Sequence, residues 1–315
     1  RGHPHHPAAS THRRSRGGDP PVRGARLMGV AEPVTLGGAL PLRRRAIPSL
    51  KVGRLEKIGL AVLALTTIGA LAAPLLAPYA PTLPVSAGPL LKPSAAHLLG
   101  TDDLSRDIAS RVLYGIRSSW FSAIAVIASG VLIGGLIGLV AGFKGGWVDT
   151  VLMRITDLFL ALPGPILAIA IVASLGPSLP HTLLAVGVVW WPWYARIVRG
   201  EVRALMVRPH IDAARLARIG RMRLAFRHAL PGALPAVLVT ASLDVGNLVL
   251  TLAGLAFIGL GAPPPAPELG SMVAQGLPYF FGQPWVCLAP AVAIFVLAFA
   301  ANLAGDGIRD LLRHT

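Results

Sequence analysis

A chain of 315 residues with 54% hydrophobic content and a mean hydropathy of +0.64 is more apolar than a soluble domain can bury in one core, which places it in the membrane class. The formal net charge of +15 is concentrated in residues 1–57 and 201–232, both bordering apolar runs where positive charge marks the cytoplasmic side, and this excludes nucleic acid as the partner. The single cysteine, Cys287, excludes an intrachain disulfide and a multi-cysteine metal site, and lies in an apolar run as a packing residue.

Residues 1–57 are rich in Gly, Pro, His, Ser and Arg without apolar periodicity, the composition of a disordered basic cytoplasmic tail. Met28 is the expected native start. His3, His5 and His6 read as tail residues rather than a metal site, and Arg43, Arg44 and Arg45 as a positive-inside anchor rather than an export signal.

Residues 58–78 carry no charge and are long enough, at about 1.5 Å per residue, to cross a hydrocarbon core of about 30 Å. The loop 79–117 is Pro-rich and nearly neutral, which suits the outer face. A second span, 118–143, carries Gly130, Gly134, Gly135, Gly138 and Gly142, small residues that let helix backbones approach closely in lipid. A third, 151–175, is interrupted by Pro163 and Pro165. A fourth, 182–198, ends in Trp190, Trp191, Trp193 and Tyr194, read as an interfacial belt or as an aromatic platform for substrate.

After the polar stretch 201–232 a fifth span, 233–260, contains Asp244 with Asn247 on the same helical face. An ionisable group at membrane depth is a functional candidate; the alternative is a carboxylate hydrogen-bonded inside the bundle. The loop 261–284 has Glu268 as its only charge, the sixth span is 285–303, and 306–315 is a short tail. The expected fold is therefore an all-α polytopic membrane protein of six spans with both termini cytoplasmic. Its divisions are a tail 1–57, a first span and outer loop 58–117, a five-span core 118–305 with a loop 199–232, and a tail 306–315.

No catalytic constellation emerges: there is no Walker A loop, GxGxxG, GxSxG or HExxH, and no carboxylate cluster with metal-ligand spacing. The chain is expected to be no enzyme, to bind no metal or cofactor and not to use ATP itself. Chemistry therefore points to the stretch 201–232. Asp212, Ala213 and Ala214 open a short helix in which the carboxylate sits near the N-terminus and the alanine pair leaves a low surface for a partner. His228, Leu230 and Pro231 close the segment, with Pro231 ending its amphipathic part. A basic helix lying on anionic lipid is the plainer reading.

This stretch resembles the EAA loop of ABC importer permeases. The segment 98–107, LLGTDDLSRD, resembles the LLGTDxLGRD signature of the dipeptide, oligopeptide and nickel permease group, with Gly100, Thr101, Asp102, Arg106 and Asp107 matching and Ser105 where glycine is usual. The segment 257–272, FIGLGAPPPAPELGSM, is similar to FLGLGxxPPxPEWGxM, with Glu268 and Gly270 matching and Leu269 in place of tryptophan. The segment 302–310, NLAGDGIRD, with Asp306, resembles the ending NLLGDGLRD. Together these resemble the C-type subunit of the group.

The resemblance implies a type I ABC importer permease in a bacterial inner membrane. It would pair with a second homologous permease, two ATPases that use ATP and magnesium, and an extracytoplasmic solute-binding protein. Residues 212–231 would form the coupling helix and its support, docked on an ATPase. Peptides are the expected solute, with nickel or a metal chelate as the alternative within the group. Where the motif has glycine, this chain has Arg218, and Gly220 follows two residues later. Either the turn is built with other angles or Gly220 takes over the role. An ion-coupled secondary transporter is the rival from another class, and Asp244 its one supporting residue.

Overall fold

The computed structural model describes residues 54–313. The basic tail, its expected start at Met28, the histidine trio and the arginine anchor lie outside the described residues. The main elements among them are helices, in the order α1 (Arg54–Leu76), α2 (Ile108–Lys144), α3 (Gly146–Ala161), α4 (Gly164–Leu175), α5 (Leu179–Met206), α6 (Pro209–Leu216), α7 (Arg221–Leu224), α8 (Leu230–Phe257), α9 (Leu269–Gly276) and α10 (Pro284–Arg313). Four of the described helices are long and apolar enough to cross a membrane, five if α3 and α4 form one bent span. α5 has the length, but its Trp- and Arg-bearing half keeps it out of that apolar set; the expected count of six is reached only if α5 is also a span.

α2 begins at Ile108, well before the expected start at 118. Hydropathy overlooked its first turns because Arg111 and Arg117 lie in them. Asp107 starts the helix by accepting a hydrogen bond from the Ser110 backbone N–H at 2.8 Å.

α2 and α5 pack side by side and run parallel. A Cβ on Gly134 would collide with the carbonyl oxygen of Trp191, one on Gly138 with that of Ala195, and one on Gly142 with that of Arg199, so register advances in the same direction on both helices. The glycine stripe therefore permits backbone contact at this crossing. Parallel packing requires the intervening chain to return the full length of the contact. It does so along α5, with Asp149 against Arg199, Asp157 against Arg196, Phe159 against Trp191 and Gly164 against Val189. The third expected span is thus no straight helix but two helices bent by 85° at Leu162 and Pro163, with α3 running antiparallel to α5. Pro163 cannot donate to a helical ladder and biases Leu162 to extended angles, which ends α3 there.

α8 is antiparallel to α5, from Gly232 against Leu205 to the Thr182 hydroxyl donating to the Leu260 carbonyl at 2.5 Å. α10 is antiparallel to α8, with Gly246 against Asn302 and Gly305 against Ser242. The start of α1 meets the end of α10, Gly59 against Leu303. One end of the bundle, the upper, therefore holds the α1–α2 and α8–α9 connections. The lower holds α6, α7, the start of α1 and the end of α10.

Candidate functional site

The lower end carries the candidate coupling element. α5 continues through Arg199, Glu201 and Arg203 to Met206, so much of the basic stretch is the lower turns of a long helix rather than a separate loop. Two of these arginines are anchored: Asp149, buried at the start of α3, accepts from Arg199 and, at 2.8 Å, from Arg203. This clamp joins the α2–α3 turn to the end of α5. A lone acid after two glycines gave no sequence signal for it.

α6 follows, with Asp212 in its first turn as expected. The alanine pair divides. Ala213 is exposed, whereas Ala214 is only 7% exposed and packs with Ile211 and Leu224 in a small core closed by Phe143, Met206 and Ile219. The low two-alanine docking surface is therefore corrected to one outward alanine and one inward. Adjacent helical residues point about 100° apart, and here the boundary of the buried face falls between them.

The turn after α6 resolves the missing glycine. Arg218 itself adopts the left-handed conformation, with φ 54°, while Gly220 has φ −60° and precedes α7 in extended geometry. The Ile219 N–H donates to the Ala214 carbonyl at 3.1 Å, and Ile219 packs on the core beneath, the pattern of a Schellman cap with Arg218 at the left-handed position. Gly220 has not taken over the role. A non-glycine residue there costs about 1–2 kcal/mol in backbone sterics.

Pro231 does not end the segment. α7 runs through a π-helical turn, Ala225–Ala229, into α8 without a break, with His228 and Leu230 half-buried on the way and Pro231 in the first turn of α8. The wide turn supplies the register in which a residue without an N–H is tolerated: the Leu230 N–H bonds to the Ala225 carbonyl, five residues back. What the lower end offers a partner is a mixed surface in which large apolar side chains stand among exposed Arg208, Arg218, Arg221 and Arg223. Val207, Leu216 and Met222 are 79%, 85% and 72% exposed around the α6–α7 turn.

The upper end brings two of the three signatures together. The Asp102 carboxylate accepts from the backbone N–H of Leu104 and Arg106 and from Arg106 Nε at 2.6 Å, with Arg111 Nε 3.5 Å away; all three charged side chains are buried. Arg111 also donates to the carbonyls of Pro81 and Pro265, and Arg106 reaches Gln275 at 3.5 Å, tying the first signature to the second. Asp107 caps α2 and faces His97 Nδ1 at 2.9 Å. Thr101 donates to the Gly88 carbonyl, and Gly100 has φ 77° with no room for a Cβ beside Trp285. Glu268 is buried and accepts from the Ala262 N–H at 2.5 Å, and burial raises its carboxyl above the ordinary range. Gly270 lies against the Ala253 carbonyl. Leu269, in the tryptophan position, is fully buried against Gly115. The third signature is at the other end: Asp306 is exposed on α10.

Asp244 lies in the middle of α8, half-buried, and accepts a hydrogen bond from the Tyr194 hydroxyl at 2.9 Å. Tyr194, read as part of a belt, is thus its hydrogen-bond partner within the bundle. Asp244 also lines an open groove with Val189, Trp190 and Trp193. Asn247 is exposed and lines no part of that groove.

With the geometry in hand, residues 134–314 match the family described as the binding-protein-dependent transport system inner membrane component. The chain is 44% identical over 71% of its length to the probable D,D-dipeptide transport system permease protein DdpC of Escherichia coli, covering 75% of that protein. It is 39% identical over 85% of its length to the dipeptide transport system permease protein DppC of Alkalihalophilus pseudofirmus, covering 88%. A chain of the MetNI methionine ABC transporter, solved in inward-facing conformations, shares the fold at a TM-score of 0.53 and 20% identity, over 65% of this chain and 96% of that one.

Proposed function

The chain belongs to the family of binding-protein-dependent transport system inner membrane components, and on that premise we propose that it is the C-type permease subunit of an ATP-driven importer of di- or oligopeptides. It forms half of a translocation pathway, the other half coming from a second, homologous permease. Two ATPases bind below, an extracytoplasmic binding protein delivers solute above, and both ends of the chain lie in the cytoplasm. ATP and magnesium are used by the ATPases. The peptide assignment draws on the two dipeptide permeases to which the chain is similar.

The observation that carries this reading is the lower-end knob: exposed Val207 in the turn after α5, with exposed Leu216 and Met222 on the short helices α6 and α7, whose own core, Ile211, Ala214 and Leu224, is seated on Phe143 of α2 and Met206 of α5. A solvent-facing apolar surface of this kind marks a protein contact. Because its base is continuous with α5 and α8, movement of a docked ATPase is transmitted to those helices as a rigid displacement.

The test is uptake by proteoliposomes holding the chain with its second permease, ATPases and binding protein. Labelled dialanine should accumulate only with internal ATP and external binding protein. Accumulation without ATP overturns the importer reading; ATP-dependent accumulation of nickel in place of dialanine keeps the importer and replaces its solute.

A further inference from the structure

An acidic side chain at mid-depth of a membrane bundle normally has a cation beside it. Asp244 has none: among the described residues no Lys, Arg or His forms an ion pair with it, and its side-chain donors are neutral, the Tyr194 hydroxyl at 2.9 Å and the Trp190 indole N–H. Two neutral donors leave part of a carboxylate's acceptor capacity, about four lone-pair sites, open. The carboxylate opens on a groove whose other walls are Val189, Trp190 and Trp193, the last 49% exposed. A carboxylate fixed by a phenol and flanked by indole rings is the chemistry that recognises an organic ammonium, through an ion pair on one side and the ring faces on the other. The groove holds about 240 Å³, below the roughly 300 Å³ at which pockets begin to enclose a whole small ligand, so it suits one end of a longer solute.

We infer that Asp244, with Trp190 and Trp193, is a binding station for the protonated amino end of the transported solute, Tyr194 serving as a positioning residue that aims the carboxylate. The inference rests on the peptide-importer reading and names the end of the peptide this subunit holds. During passage the ammonium supplies the countercharge that the bundle lacks, and a blocked amino terminus cannot.

The test is equilibrium binding of labelled dialanine and of N-acetyl-dialanine to the complete permease–ATPase complex in nanodiscs, without the binding protein. The complex should bind dialanine at least tenfold more tightly than the acetylated peptide. Asp244→Asn should remove that preference. Tyr194→Phe, which keeps the carboxylate, should retain most of it. A complex in which Asp244→Asn preserves the preference overturns the inference, as does one in which Tyr194→Phe and Asp244→Asn lose it equally, because the pair is then only a structural hydrogen bond. Absence of any preference in the unsubstituted complex, while the vesicles above still import dialanine, overturns the station and leaves the peptide reading standing. Import of nickel alone in those vesicles overturns the peptide reading itself.

Discussion

Ser105 and Arg218 share one backbone conformation at opposite ends of the bundle, with φ of 59° and 54°, and they are the two positions at which the chain carries another residue where the family signatures have glycine. Both turns place a non-glycine residue in the left-handed region. At Ser105 the neighbouring bonds hold it, Ser105 N–H to the Asp102 carbonyl at 3.1 Å and Val85 N–H to the Ser105 carbonyl at 2.7 Å; at Arg218 the cap bond from Ile219 does.

Restoring glycine should relieve this. Arg218→Gly trades about 1–2 kcal/mol of left-handed strain for roughly 0.5–1 kcal/mol of extra backbone entropy, a net stabilisation between zero and about 1.5 kcal/mol. The expected readout is slower hydrogen exchange at the Ile219 amide, and Arg218→Val, β-branched in the same conformation, should accelerate it. Equal exchange in all three proteins would mean that the turn is not held at Arg218.

Docking and folding of the lower knob should separate by residue. Leu216→Glu places a charge on the exposed surface, so copurification with the ATPases is expected to fall at least tenfold while the melting temperature stays unchanged. Ala214→Glu forces a charge into the core beneath and should lose hydrogen-exchange protection across α6 as well. If Leu216→Glu copurifies normally, the apolar surface is not the docking contact.

At the upper end Asp102→Ala leaves Arg106 and Arg111 buried without their carboxylate. Breaking a buried pair from one side costs about 3–5 kcal/mol. Thermal melting in detergent should show a loss well beyond that of an exposed control such as Asp306→Ala.

Gly138→Leu should prevent α2 and α5 from packing, since even one carbon meets the Ala195 carbonyl. Misassembly is expected, seen as loss of a monodisperse species on size exclusion. Gly135→Ala on the same helix adds a Cβ that meets no neighbour within 4 Å and should be tolerated.

Glu268 gives a pH dependence of defined sign. Burial raises its folded carboxyl above the unfolded value of about 4.3, so the folded state holds the proton longer and stability is lost as pH rises through the raised value. Glu268→Gln keeps an acceptor for the Ala262 N–H without that titration. The melting temperature of the variant minus that of the parent should grow from pH 4 to pH 7; a difference flat across that window would show that Glu268 is not held neutral.

Composition and spacing made the membrane class, the approximate apolar runs and the three signatures legible, because lipid demands long uncharged helices and loop signatures are local strings. Local reading failed where charge enters a helix. α2 starts at Ile108 because Arg111 finds carbonyls contributed by Pro81 and Pro265, and α5 extends to Met206 because Asp149 neutralises Arg199 and Arg203, partners distant in sequence. The break at Pro163 was visible, but that α3 runs back along α5 follows only from the parallel register of Gly134 and Gly138 with α5.

By itself the sequence determined a basic, multi-pass chain and placed its partner-facing element in the stretch around Asp212 to Pro231, since that is the one long internal segment too charged for a bilayer. Tertiary structure alone decided which side chains that element presents. Helical geometry turns Ala214 inward and Leu216 outward, and Arg218 takes the left-handed turn because the cap bond and the Ile219 contact hold it there. A single string of letters does not contain the neighbours that make either choice.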